Sequence, residues 1–413
     1  MANLFWGAMV LAAALSAGAA QAQPAESAWI GTWAAAPSPP TLVARPYARL
    51  SPSFAGETLR EVIRISAGGS QVRIRISNEY GAIPLRIGAA HVAIAGPNGA
   101  IRPGSDRVLT FGGRPQALIP PGAPLLSDPV DLPAPPLATL SVSLFLPEAT
   151  GPCTCHPLGM QTGYLSGPGD FTGAVNFPTA STFRGRPFVS GAEVRVDRPA
   201  SVVAVLGDSI SDGAVSTPDA DHRWPDRLAE RLNARDGVAH PWGVANAGIS
   251  GNRLLADGAG VSALARFDRD VLSVPGVRYV VVFIGVNDLG VAYGPGAAAN
   301  PVANPPTAED MIAGYRQLIA RAHEHRLKIY GATITPYGGA GYWSSQGEIY
   351  RQAINHWIRT SGAYDGVIDF DAAWRDPADP AHERAAVDPG DHLHGTDGGY
   401  AILGDAVDLG LFR

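Results

Sequence analysis

Two residue types are nearly missing from this 413-residue sequence: lysine, present only as Lys328, and cysteine, present only as Cys153 and Cys155. Positive charge is therefore almost all arginine, which reads as a coding bias before it reads as a binding surface. With 31 Lys and Arg against 37 Asp and Glu, the formal net charge is -6. No basic cluster of the kind nucleic acid requires is present, so that class of partner is not expected. A bridge between Cys153 and Cys155 would close a very small ring and constrain almost none of the unfolded chain. Packed thiols or a local loop bridge are the expectation. A metal centre built on Cys153, Cys155 and His156 lacks a fourth clustered ligand. Neither a metal nor an organic cofactor is expected. Charge is sparse at 16%, while 46% of residues are hydrophobic, enough for two well-packed domains. The 49 Gly and 36 Pro point to many turns.

Long apolar runs are also scarce. One lies at the start, where Met1 to Ala22 holds no charged side chain and Leu4 to Leu15 is apolar. Small residues and the triplet Ala20-Gln21-Ala22 follow. This pattern predicts a signal peptide over 1–22, too short to span a bilayer, and a secreted or periplasmic protein. No later stretch reads as a transmembrane span, and no internal repeat is visible.

Past a Pro-rich tether at Ala35 to Pro40, the signal from about Thr58 to Val196 is β. Val72, Ile74 and Ile76 alternate with Arg73 and Arg75, and Leu140, Val142, Leu144 and Leu146 alternate with Ser141 and Ser143. Period two with one wet face predicts half-buried antiparallel strands. Turn signals such as Pro97-Asn98-Gly99 separate them, and a jelly-roll-like β-sandwich over 23–197 is the expected fold. Near Pro199 the texture changes. Val202 to Leu206 and Tyr279 to Ile284 are continuous apolar runs, as in parallel strands buried on both faces. Between such runs lie amphipathic helices. The clearest starts at Thr307 as N-cap, with Asp310 at N3 and Met311, Ile312, Tyr315, Leu318, Ile319 and Ala322 on one stripe. The 198–413 segment is therefore expected to be a three-layer α/β/α sandwich on a parallel sheet.

The first strand of that segment ends in Gly207-Asp208-Ser209-Ile210-Ser211-Asp212-Gly213. A serine just past the carboxyl end of a central parallel strand sits where open α/β sheets place ligands. The alternative is a Ser/Asp-rich turn that caps a helix; serine is a poor nucleophile until a base takes its proton, so the choice rests on whether the chain supplies that base. Asp391 and His394, three residues apart in a Gly-bounded turn, can supply that base and its orienting acid. His392 and Asp388 compete for the same roles. Asn246 to Asn252 and Gly285-Val286-Asn287-Asp288 follow two further strands and converge on the same crevice. There the Gly248 N–H and the Asn287 amide can face a substrate oxygen.

The Gly-Asp-Ser, Gly, Gly-x-Asn-Asp and Asp-x-x-His elements occur in the order and strand context of the GDSL/SGNH hydrolase superfamily, which Ala200 to Arg413 resembles. The Trp29 to Asp197 half resembles, more weakly, the β-rich region preceding this domain in some secreted bacterial relatives, through Ile63 to Ser66, Ser77 to Gly81 and His156-Pro157-Leu158. The resemblance implies a flavodoxin-like SGNH fold and a serine carboxylic-ester hydrolase. Ser209 would be the nucleophile, His394 the base and Asp391 its acid, with Ser209 N–H, Gly248 N–H and Asn287 as the oxyanion hole. Relatives often carry proline after the histidine, where this chain has Gly395, a change expected to loosen the turn. Short-chain or polysaccharide-linked acyl esters are the expected substrates. The alternatives are a lipase or phospholipase on longer acyl chains, a transferase to an acceptor alcohol, and a catalytically silent carbohydrate-binding protein.

Overall fold

The computed structural model describes residues 1, 27–40, 52–299 and 301–413. Most of the segment read as a signal peptide lies outside them. The first half is built from two antiparallel sheets. In one, β1 (Ala28–Ala34) pairs with β7 (Val189–Val196), which pairs with β3 (Gly69–Ser77), and the short strands Pro124–Leu126 and Val130–Ala134 add to β3. The other runs β6 (Gly163–Pro168), β2 (Glu57–Arg64), β5 (Thr139–Leu146), β4 (Ala89–Ile94). Ile74 and Ile76 of β3 and Leu140, Val142 and Leu144 of β5 belong to one buried apolar cluster, so the two sheets share a core.

The period-two reading fits β3, whose Arg73 and Arg75 are half-buried beside Glu193. It fails for the second face of β5. Ser141 and Ser143 are buried too. The segments around Gly99 and Phe171 to Ala174 cover that face. Arg60, itself fully buried, donates to Ser143 Oγ at 2.8 Å and to the carbonyls of Gly99, Thr172 and Ala174. Those carbonyls replace the water that the guanidinium loses on burial. A serine face alternating with leucines cannot reveal whether loops will close over it.

The second half holds a five-stranded parallel sheet. Its order is β9 (Trp242–Gly248), β8 (Ser201–Gly207), β10 (Val277–Phe283), β11 (Lys328–Ala332), β12 (Gly366–Ile368). Chain order therefore reverses direction at β8, and ligands bind outside the strand carboxyl ends at such a point. Val280, Val281 and Val282 are at most 1% exposed. Burying each valine side chain contributes roughly 1.5–3 kcal/mol. The helices form two groups. α2 (Trp224–Asp236) packs on α6 (Asp397–Ala406), while α4 (Ala308–Glu324) packs on α5 (Ser345–Thr360), which also meets α3 (Val286–Tyr293). α4 begins as its sequence predicts. Thr307 Oγ1 accepts from Asp310 N–H, and Asp310 Oδ2 accepts from Thr307 N–H.

The halves are not joined by a tether. Gly31 of β1 donates its N–H to the Pro275 carbonyl at 2.8 Å, and β1 packs along β9. Ala35 and Ala36 are buried, and Ala36 clusters with Ala247 and Ile249 of the parallel-sheet half. The Pro-rich composition marks a segment without regular pairing, but small residues there also permit close packing.

Candidate active site

Asp208 caps the turn that follows β8. Its Oδ1 accepts from Ile210 N–H at 3.1 Å, starting the four-residue helix α1 (Ser209–Asp212), which Gly213 ends at φ +90°. Ser209 thus stands at a helix N-terminus beyond a central strand, and it is 5% exposed. His394, 185 residues away in sequence, faces it, with Nε2 2.9 Å from Ser209 Oγ. The other ring nitrogen, Nδ1, donates to Asp391 Oδ2 at 2.6 Å. Asp391 Oδ1 accepts the backbone N–H groups of Leu393 and His394, which folds the turn and fixes the carboxylate together. Partial burial raises the Asp391 pKa, but the His394 ring and these N–H groups outweigh it and bring the carboxyl to about 2.

The other acid–base pair separates from this one. His392 Nδ1 lies 2.5 Å from Asp388 Oδ2, and the His392 side chain is about half exposed. His392 does have an acid, four residues before it rather than three, but neither residue is bonded to Ser209. Gly395, after His394, sits in close packing. A Cβ there would stand 2.7 Å from the Trp374 ring, so the missing side chain lets the loop press against a buried indole.

Gly248 requires a correction. Its N–H donates to Asn246 Oδ1 at 3.0 Å, so it is not free to face a substrate oxygen. Gly248 ends β9 against the serine turn, where a Cβ would come 2.5 Å from Asp212 N and 3.0 Å from Asp208 O. Glycine is needed there for close approach. Gly251 in this loop, at φ +76°, has an N–H with no acceptor among the described residues. Asn287 is 8% exposed. It spends one amide hydrogen on the Asn252 carbonyl at 3.1 Å, and its Oδ1 accepts from Tyr342 OH at 3.3 Å. Its second amide hydrogen stays available. Ser209 N–H likewise has no acceptor among the described residues.

Several supporting residues escaped the sequence reading. Arg266, fully buried, donates to the carbonyls of Gly207 and Ala247 and to Asn252 Oδ1, clamping the ends of β8 and β9. Its charge is balanced by Asp270 at 2.9 Å. Asp288 holds the loop after β9 by accepting Leu254 and Leu255 N–H, and burial pushes its carboxyl up to about 6. Burial likewise pushes Asp208 up to about 7. An arginine in a helix or an aspartate in a turn carries no sign in sequence that it will be buried. Cys153 and Cys155 form a disulfide. The described residues contain no cluster of three or more His, Cys, Asp or Glu able to hold a metal ion, and no helix among them is long and apolar enough to cross a membrane.

Glu383 lies buried behind the Asp391 turn, and neither carboxylate oxygen has a partner among the described residues. Burial, with repulsion from Asp388 and Asp391, raises its pKa from 4.5 to about 9. The folded state therefore holds a proton there that the unfolded chain releases above pH 4.5. Stability from this group is full below pH 4.5 and is lost as pH rises toward 9. Glu383→Gln is expected to raise stability at pH 8 by about 1–3 kcal/mol and to flatten its pH dependence between 5 and 9. Urea melts across that range provide the measurement.

A serine, an imidazole and a carboxylate are thus hydrogen-bonded in series at the carboxyl edge of the parallel sheet. Residues 205–402 match the GDSL-like lipase/acylhydrolase family; the chain carries a domain of that family there, and the protein is an ester-hydrolysing enzyme. Among solved structures it is similar to an alpha/beta hydrolase enzyme from the metagenome of Lake Arreo, at 17% identity and TM-score 0.40, covering 52% of this chain and 95% of that one. It is also similar to a variant of an acetyl xylan esterase from Geobacillus stearothermophilus, at 20% identity and TM-score 0.39, covering 51% and 93%. A GDSL-like lipase from Bacteroides thetaiotaomicron VPI-5482 is similar at 18% identity and TM-score 0.35, covering 51% and 87%. No curated protein matches the chain.

Proposed function

We propose that this enzyme is an exported serine carboxylic-ester hydrolase that works through an acyl-enzyme, with Ser209 as nucleophile. The observation that carries the reading is the 2.9 Å contact between His394 Nε2 and Ser209 Oγ, backed by Asp391. His394 takes the hydroxyl proton as Ser209 Oγ attacks the ester carbonyl, and Asp391 stabilises the imidazolium that forms. The tetrahedral oxyanion is met by Ser209 N–H, by the spare Asn287 amide hydrogen and by Gly251 N–H in place of Gly248. Its collapse expels the alcohol, which His394 protonates. Water then attacks the acyl-serine with the same base, and carboxylic acid leaves.

Short-chain or polysaccharide-linked acyl groups are the proposed substrates. The proposed organisation is a leader over 1–22, a jelly-roll-like sandwich over 23–197 and the catalytic domain over 198–413. A second reading, longer acyl chains, is favoured by a cavity of about 500 Å³ lined in part by Leu255, Ala256, Leu264, Val302 and Pro305, which reaches Arg253 and Asp288 beside the Asn252–Asn287 pair. Rates on p-nitrophenyl esters from acetate to palmitate, together with acetate release from an acetylated polysaccharide, test both. A maximum at acetate or butyrate supports the first reading and a maximum at decanoate or beyond the second. Failure to hydrolyse any ester in the series and to release acetate would overturn both.

Asn287→Ala removes one preorganised donor, a loss of roughly 2.7–4 kcal/mol. Turnover is expected to fall by about two to three orders of magnitude with little change in KM. An unaltered kcat in the folded variant would take Asn287 out of the oxyanion site.

A further inference from the structure

One polar cluster at the junction of the two halves takes no part in the mechanism above. His156 lies in a two-residue strand, Cys155–His156, of the β half and is 5% exposed. Its Nδ1 is 3.0 Å from the Ala36 carbonyl oxygen, and its Nε2 is 2.9 Å from both the Leu158 carbonyl oxygen and Asp212 Oδ1. All three partners are acceptors. A neutral ring would turn a nitrogen lone pair toward an oxygen, so both nitrogens must donate and the ring is an imidazolium. Burial opposes that charge, yet the Asp212 carboxylate and the two carbonyls hold the His156 pKa above its ordinary value.

Asp212 is the far end of this contact and the last residue of the helix that Ser209 begins. Its Oδ1 receives the imidazolium, while its Oδ2 accepts both Ser250 N–H at 3.0 Å and Ser250 Oγ–H at 2.7 Å. Ser250 immediately precedes Gly251, whose N–H has no acceptor among the described residues. One buried carboxylate therefore ties together the nucleophile turn, the oxyanion turn and the β half. Asp219, in the loop after α1, adds a second tie across the junction, accepting Thr162 Oγ1–H at Oδ2 and donating its N–H to the Met160 carbonyl.

We propose that His156 is a positioning residue for ester hydrolysis: as an imidazolium it fixes the Asp212 carboxylate, and through it the Ser250–Gly251 turn, against Ser209. The β half is then a structural part of the active site and not only an appendage that brings substrate. The inference rests on the oxyanion role given above to Gly251 N–H. Donors aimed where charge develops act mainly in the transition state, and a displacement of about 1 Å costs on the order of 100-fold in rate. Loss of the tie should therefore appear in kcat rather than in KM.

The test uses the full chain with p-nitrophenyl acetate, comparing wild type, His156→Gln, Asp212→Asn and the double variant, each checked for native circular dichroism. Each single change is expected to lower kcat by about 10- to 100-fold and leave KM within about threefold. The double variant should be no worse than the poorer single, because both break one tie. A folded His156→Gln enzyme with wild-type kcat, a loss confined to KM, or single losses that multiply in the double variant would overturn the proposal. If the buried substitutions do not fold, Ser250→Ala, which removes one hydroxyl and leaves the ion pair, should still lower kcat several-fold, and an unchanged kcat would overturn it equally. Wild-type inactivity on the ester would instead strike at the substrate reading.

Discussion

Ser209→Ala is expected to lower kcat on a short-chain ester by about five to six orders of magnitude, with KM nearly unchanged. Ser209 Oγ is bonded to His394 Nε2, and in the proposed mechanism every covalent step passes through it. The residual rate should come from the oxyanion donors and from substrate positioning, which the substitution leaves in place. The turn itself should survive, since its cap is the Asp208 carboxylate and its tie is the Asp212 carboxylate, neither of which uses the serine oxygen. Stopped-flow measurement on p-nitrophenyl acetate should show a burst of one p-nitrophenol per wild-type enzyme only where deacylation is the slower step. In the variant no burst should appear under any condition. A variant retaining a tenth of the wild-type rate would remove Ser209 from the chemistry.

Asp391→Asn should lower kcat by about 10⁴-fold, more than its small change in shape suggests. Asp391 Oδ1 accepts two backbone N–H groups, from Leu393 and His394, and only Oδ2 faces the ring. An asparagine keeps the two backbone bonds by placing its oxygen there, and must then present its NH₂ to His394 Nδ1. The ring can accept that bond only by carrying its proton on Nε2, where it blocks proton transfer from Ser209. Geometry is preserved and the tautomer is wrong. Because the Asp391 carboxyl titrates at about 2, below its ordinary 3.8, any stability it gives is present above pH 3.8 and lost as pH falls toward 2. Its side chain is 42% exposed, so solvent keeps that contribution small. Loss of activity between pH 4 and 6 therefore does not come from Asp391. A kcat profile with an acid limb near pH 4 that vanishes in Asp391→Asn would contradict this assignment.

The sequence made the parallel sheet legible because strands buried on both faces must be apolar throughout, as Val202 to Leu206 and Val280 to Val282 are. It located α4 by its cap and stripe, and it placed Ser209, Asp391 and His394 within reach of one crevice. It offered Gly248 as the loop donor, whose N–H the structure gives to Asn246 Oδ1. Gly248 ends β9 and Gly251 lies three residues on in the loop, and composition cannot say which N–H an asparagine side chain will occupy. It also read Ala35 to Pro40 as a tether and the Ser141 face as wet, because local pattern is blind to whatever packs from a distance.

What the chain alone determined about this protein was therefore its periodicity and its short-range chemistry: which runs become strands, which serine follows one, and which acid lies three residues before a histidine. Only the tertiary structure decided which histidine meets Ser209, that His156 crosses to Asp212, and that Arg266 and Glu383 are buried with and without partners. Those outcomes depend on groups separated by 56 to 185 residues in the case of the two histidines. Hydrogen bonds and desolvation act over a few ångströms of space, and distance along a chain does not encode them.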